Sequence, residues 1–284
     1  MKIKYIHNLN YTYEEPVNLG EHRICIKPRS QGFQKLIKFE LQIDPKPKSF
    51  YPLLSPSGEE IYKAKFDKKT DKLFINAVSE VETLAHPNIF ECVKDRDLTL
   101  PFNQLTYRDL KGALEGWLPN GQHDPSAVDL AQEALVGSGN NALSYIYQLI
   151  EIIQDRVKYT ERHTGPAWPA NRTLRERVGS CRDFAMLMAE ASRAVGIPCR
   201  FVSGYHFETP PPKSYELHAW LELYVPGAGW RGFDPSGKGL IDERYLTLVS
   251  SSESNLTSVL TGNFTGKMNL KNDFSWEIKI LNIE

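Results

Sequence analysis

The chain is poor in the features that would classify it quickly. It has four cysteines in 284 residues, Cys25, Cys92, Cys181 and Cys199. No pair has the C-x-x-C spacing of a zinc or dithiol site, which argues against both. So few scattered thiols read as reduced side chains rather than a disulfide framework. Charge of one sign is also lacking: 34 basic and 35 acidic residues leave a net charge of -1. That gives no attraction to nucleic acid or to an acidic membrane surface. No run approaches the ~20 apolar residues of a membrane helix. Met1 to Tyr13 alternates polar and apolar residues and has no export-signal core. The expectation is a cytoplasmic protein with no nucleic-acid or membrane partner, no cofactor and no metal. What remains is ordinary globular composition, 41% hydrophobic and 24% charged, in a chain long enough for two domains.

Residues 1–85 read as a β-rich N-terminal domain. Lys2–Ile6, Arg23–Lys27, Lys35–Ile43, Glu60–Phe66 and Leu73–Val81 alternate, separated by clusters such as Pro45-Lys46-Pro47 and Ser55-Pro56-Ser57-Gly58. Short strands at this spacing predict a small sandwich or barrel. In the third run, Ile37, Phe39, Leu41 and Ile43 form the apolar face. Residues 86–138 read as a connector with short helices, broken at Leu100-Pro101-Phe102, Trp117-Leu118-Pro119-Asn120-Gly121 and Gly137-Ser138-Gly139.

Residues 139–284 read as a second domain. Leu143, Ile146, Tyr147, Ile150, Ile153 and Val157 give one apolar face to a helix over Asn141–Lys158. Thr173–Val178 reads as a short helical turn capped by Thr173 and stopped by Gly179. A further helix begins at Cys181, with the stripe Phe184, Leu187, Met188, Ala191 and Val195, and stops at Gly196-Ile197-Pro198. Strands follow over Arg200–Tyr205, His218–Val225 and Trp230–Phe233. Helices before strands make this domain α+β.

Cys25 and Cys199 sit inside apolar runs and read as small buried hydrophobes; Cys92 has no telling context. Cys181 differs. Ser180 and Asp183 form an S-x-x-D capping box that sets Cys181 in the first helical turn. Unpaired backbone N–H groups there carry partial positive charge, which lowers a thiol pKa and stabilises an oxyanion. Asp183 is assigned to structure, as a cap or a neighbour's partner. His218, at the start of a strand, is the natural general base. Asp234, held extended by Pro235, would orient the imidazole. One geometric condition applies. A symmetric turn over Pro226–Gly229 would pair Val225 with Trp230 and His218 with Gly237. Asp234 would then fall opposite Leu221, on the wrong face. A triad therefore requires a bulge, an asymmetric loop, or Asp234 beyond the ladder. His206 and Glu216 flank a Pro-rich stretch read as a surface loop. Trp168 reads as packing and His163 as solvent-facing.

The ordered motifs Gly179-Ser180-Cys181-Arg182-Asp183-Phe184-Ala185, Gly196-Ile197-Pro198-Cys199-Arg200-Phe201-Val202-Ser203-Gly204-Tyr205, His218-Ala219-Trp220 and Gly229-Trp230-Arg231-Gly232-Phe233-Asp234-Pro235 resemble the transglutaminase-like superfamily. The β-rich N-terminus is similar to the region preceding this domain in bacterial relatives. The resemblance implies a papain-like α+β core behind a sandwich-like N-terminal domain. It also implies a Cys181–His218–Asp234 triad and acyl transfer through a thioester on a protein, a peptide or a small amide. Hydrolysis is favoured over transfer to an amine. The superfamily includes cross-linkers, peptidases, amidases and members without catalysis, so a non-catalytic peptide- or protein-binding module is the alternative. Its animal cross-linkers use calcium, but this chain has no EF-hand-like loop or dense acidic cluster. His7, His22, His86 and His123 lie outside the matching motifs. The run Ser250-Ser251-Ser252-Glu253-Ser254 follows the matching stretch and is placed near the cleft.

Overall fold

The alternating runs at the N-terminal end build strands, most of them longer than the sequence marks. The computed structural model describes residues 1–102, 111–118, 123–237, 239–267 and 270–283; the breaker Pro119-Asn120-Gly121 lies outside them. The N-terminal strands are β1 (Lys2–Leu19), β2 (His22–Ile24), β3 (Gln34–Asp44), β4 (Ser49–Leu54), β5 (Glu60–Lys65) and β6 (Lys69–Thr83). One antiparallel sheet contains β1, β6 and β3, and a second contains β2, β5 and β4. Ile3, Tyr5, Leu9 and Ile75 from the first and Ile24, Ile61 and Ala64 from the second share one apolar core, as in a sandwich. The predicted apolar face of β3 needs one correction. The register of β3 on β6 shifts between Leu36 and Lys38. Ile37 is left 49% exposed, while Leu36 joins Phe39, Leu41 and Ile43 against the core. The extra residue of a bulge turns over every side chain before it.

The second core combines helices with a five-stranded sheet. The helices are α1 (Ile89–Cys92), α2 (Lys111–Leu114), α3 (Pro125–Gly137), α4 (Ala142–Arg156), α5 (Ala170–Glu176) and α6 (Cys181–Ala194). Asn141 caps α4, its side chain accepting from Ser144 N–H at 3.1 Å. Helix α5 starts earlier than predicted, with Pro169 at its N-cap and Thr173 buried inside it. Arg177, at φ 55°, ends it rather than Gly179. The strands are β9 (Cys199–His206), β10 (His218–Val225), β11 (Gly229–Asp234), β12 (Gly239–Leu240) and β13 (Tyr245–Ser251), after the short parallel pair β7 (Lys158–Tyr159) and β8 (Val178–Gly179). The sheet runs β12-β11-β10-β9-β13, antiparallel throughout. Its Cys199, Phe201, Leu221 and Leu223 pack with Phe184, Leu187, Met188 and Ala191 of α6 and with Ile146, Ile150 and Ile153 of α4. Cys25 and Cys199 are both buried. No helix among the described residues is long and apolar enough to cross a membrane.

The two cores are not divided as the chain order suggests. Helix α3, inside the stretch read as connector, buries Ala127, Leu130, Ala131 and Ala134 in the helical core. At the other end, β14 (Leu260–Thr261), β15 (Phe264–Thr265) and β16 (Asn272–Asn282) return to the N-terminal sheets. Strand β16 pairs with β1 from Ile3↔Asn282 to Tyr13↔Asn272. Without it the long strand β1 would present a free edge. This pairing spans the whole chain, and no local pattern announces it.

A buried charge network joins the halves. Glu222 of β10 accepts from Arg29 at 2.6 Å and pairs with Arg200. Arg29 also donates to Ser250 Oγ at 2.9 Å, and Ser250 donates to Glu59 at 2.6 Å. Burial alone would push the Glu222 carboxyl up, but the two guanidinium groups outweigh it and hold it below the ordinary range. Ser250 is therefore part of the seam between the halves.

Candidate active site

Helix α6 begins at Cys181 because the capping box forms. Asp183 Oδ2 accepts from Ser180 N–H and from its hydroxyl, each at 2.8 Å. Asp183 is fully buried and also bonds Arg162 and the Trp168 N–H, the latter at 2.7 Å. Burial raises its pKa, but the Trp168 and Ser180 N–H groups and the Arg162 guanidinium more than offset this and hold it ionised. Its charge is thus paired with Arg162 and opposes a Cys181 thiolate little. Trp168 is stacked between Arg162 and Arg172, 4.7 and 3.9 Å from its ring centre, so it serves packing.

The loop between β10 and β11 meets the geometric condition. Val225 pairs with Gly229, not Trp230. The loop is the three residues Pro226-Gly227-Ala228, turned by Gly227 (φ 87°) and Gly229 (φ 68°). A symmetric four-residue turn would shift the register by one and reverse every side chain. With three residues, Asp234 lies past the end of the β10 ladder on the face shared by His218 and Trp220. His218 Nε2 is 2.7 Å from Asp234 Oδ2. The same imidazole and the Ala219 backbone N–H lie close enough to the Cys181 thiol to act on its ionisation. The structure therefore brings Cys181, His218 and Asp234 into one chain of contacts.

Charge follows from that contact chain. Burial pushes the Cys181 thiol up, but the hydrogen bond and charge of His218 and the Ala219 N–H bring it below its usual value. Burial disfavours the His218 imidazolium, yet Asp234 and Cys181 raise it to about 10. Burial likewise works against the Asp234 carboxylate, and His218 and Ser236 depress its pKa all the same. The two shifts favour a thiolate–imidazolium pair, in a window closed above about 10 as His218 loses its proton.

Asp234 is held by groups the sequence did not single out. Ser236 N–H and hydroxyl donate to Oδ1 at 2.9 and 2.8 Å, and the Tyr245 hydroxyl donates to Oδ2 at 3.0 Å. Gln154 of α4 fastens the following turn through the Pro235 and Gly237 carbonyls. A Cβ on Gly237 would stand 2.6 Å from Asp234 Oδ2, so the turn requires glycine there. Tyr245 belongs to β13, which no motif marks. Tyr245→Phe removes one of the donors to the carboxylate. The titration of Asp234 should then move up by about one pH unit, the scale of one shared charge-assisted hydrogen bond. The check is the carboxyl-carbon chemical shift of Asp234 followed against pH in labelled protein; an unmoved titration would show that Tyr245 only packs.

Cys181, His218, Asp234, Ser236 and Tyr245 line a cleft of about 1220 Å³. His206 and Glu216, read as surface-loop neighbours, both border it, as do His163 and His7. His206 stacks on Tyr245 with ring centres 4.3 Å apart. Burial, and then the His218 charge, lower its pKa. His7 donates to or accepts from the Tyr205 hydroxyl at 2.7 Å and is kept neutral by burial, its pKa near 3. His163 is exposed but 3.0 Å from Glu216. Ser254, at the end of the serine run, borders the cleft as well. Among the described residues, no group of three His, Cys, Asp or Glu side chains is placed to hold a metal ion.

Comparison with known proteins gives a family for this arrangement. Residues 129–235 match the family model of the transglutaminase-like superfamily, and residues 3–82 that of the bacterial transglutaminase-like N-terminal region. An uncharacterized protein of Mycobacterium tuberculosis is 24% identical over 266 residues, 87% of this chain and 82% of that protein. A protein-glutamine gamma-glutamyltransferase of Pseudomonas aeruginosa is 42% identical over 67 residues, 21% of this chain and 10% of that one. Among solved structures, a candidate cysteine protease from Cytophaga hutchinsonii aligns with a TM-score of 0.74 at 22% identity, covering 100% of this chain and 92% of its own. That likeness shows the fold.

Proposed function

We propose, from the premise that this chain belongs to the transglutaminase-like superfamily and carries its bacterial N-terminal region, that it is a thiol-dependent acyl-transfer enzyme acting on carboxamide or peptide bonds. The observation that carries this reading is the contact chain from Cys181 at a helix start, through His218, to Asp234. In the proposed reaction the Cys181 thiolate attacks the carbonyl carbon and forms the S–C bond. The displaced electron pair moves to the carbonyl oxygen, where first-turn N–H groups of α6 stabilise it. Collapse breaks the C–N bond, and His218 gives its proton to the departing ammonia or amine. The thioester is then opened by water, His218 taking the water's proton, and the acid leaves. Water is the proposed acceptor because the His218 side chain remains 19% exposed in an open cleft.

Glutamine-containing peptides incubated with the protein test this directly. The expected result is ammonia release with the mass change of amide-to-acid conversion, both lost in Cys181→Ala. Amine incorporation in place of acid would overturn hydrolysis but keep the thioester. If no substrate turned over and Cys181 titrated like a free thiol near ~8.5, the enzyme reading would fall to the peptide-binding alternative.

A further inference from the structure

Three aromatic side chains in the cleft take no part in the chemistry above. Tyr11 of β1 and Phe274 of β16 are paired across the two strands, with ring centres 4.5 Å apart. Trp276 follows along β16 on the same face, 5.6 Å from Phe274, and meets the His163 ring at 5.6 Å. His163 pairs with Glu216, two residues before His218. The stripe is therefore continuous from the N-terminal sheet to the segments framing the thiol. Phe274 is 41% exposed. A connected apolar surface left open in a cleft marks a binding site.

We propose that this stripe is the side-chain subsite for an extended polypeptide substrate, receiving an aromatic or large aliphatic residue near the attacked carbonyl. The proposal rests on the thiol acyl-transfer reading and gives it a substrate class. Two observations favour a polypeptide over other occupants. The cleft, at about 1220 Å³, exceeds the roughly 300–1,000 Å³ of small-molecule sites, so a small amide would leave most of it to water. Beside the aromatics, Leu9, Val259 and Leu260 extend the apolar surface, while Asn255, Thr257 and Ser258 line the cleft next to them, a mixture of apolar and hydrogen-bonding groups that suits a side chain together with its backbone. The platform is also carried by paired strands rather than by a loop, which fixes its position.

The test uses peptidyl chloromethyl ketones in which one Phe is moved along a Gly/Ser chain. Cys181 Sγ displaces chloride and forms the S–C bond, and each rate is divided by that for iodoacetamide. One Phe position should raise this ratio by about tenfold or more, the return on burying such a side chain. The Phe274→Ser/Trp276→Ser variant should bring it back to the Gly/Ser level; Tyr11→Ser gives the same reading if the double variant does not fold. No favoured position, a preference surviving these substitutions, or protection of Cys181 by oligosaccharides but not by peptides would overturn the proposal. If Cys181 resists both reagents, the acyl-transfer reading fails. The subsite is then read separately, as the Kd of the unmodified peptides for Cys181→Ala protein. The same Phe preference there supports the subsite, and its absence overturns it.

Discussion

Replacing His218 with alanine should reduce acyl transfer by about 10²–10⁴-fold, the usual contribution of a positioned acid–base group, and should change the titration of Cys181. With His218 present, its hydrogen bond and positive charge hold the thiol below its ordinary value against the opposing effect of burial. Without the imidazolium, burial and the nearby Asp234 charge both raise the thiol pKa. Iodoacetamide labelling of the wild type should therefore be fast already below the ordinary thiol range. In the variant the rise should be displaced to higher pH, above the ~8.5 of a free thiol. Mass spectrometry of the Cys181 peptide across pH makes the measurement. Cys92, the other partly exposed thiol, serves as an internal reference. A labelling profile unchanged by His218→Ala would mean that the contact between the two residues does not tune the thiol.

Glu222→Leu should destabilise the protein by about 3–5 kcal/mol, the cost of leaving buried partner charges unpaired. Arg29 and Arg200 would then share the seam with Glu59 alone, and the Arg29 side chain is only 8% exposed. The midpoint of urea unfolding reads the loss. The network also sets a pH dependence with a definite sign. The Glu222 carboxyl is depressed in the folded protein from an ordinary value of 4.5. Its stabilisation is therefore complete above that ordinary value and is lost as pH falls through the depressed one. Wild type should lose stability in that acid window, and Glu222→Leu should lose less across it. Replacing the whole set with apolar residues of similar volume should cost far less than removing Glu222 alone, since no charge is then stranded. Equal urea midpoints for wild type and Glu222→Leu would show that the buried guanidinium groups do not need this carboxylate.

Local sequence was enough for the start of α6 and for the place of Cys181 in its first turn. A Ser-x-x-Asp cap, an apolar stripe and a Gly–Ile–Pro stop depend only on neighbours in the chain, and the helix forms where they mark it. The same holds for β10, whose alternation begins and ends at the observed residues. Two kinds of feature escaped. Whether Asp234 faces His218 depends on whether the preceding loop has three residues or four, and Pro226-Gly227-Ala228-Gly229 permits both. Ile37 was misplaced for the same reason, because a one-residue bulge reverses a face without altering the local pattern. The second kind is long-range. Tyr245 on Asp234, Gln154 beneath its turn, Glu222 between two arginines, and β16 along β1 bring together residues far apart in the chain.

The sequence by itself determined which residue types are available for thiol chemistry, their order, and the helix start at which the cysteine sits. Only the tertiary structure decided that the three meet, that the carboxylate is pinned by Tyr245 and Ser236, and that aromatic side chains from the chain's two ends line the same cleft as the thiol. The physical reason is range. Capping and periodicity are set by interactions within a few residues, whereas register, sheet edges and cleft walls are set by which distant strands pair and how far each is shifted.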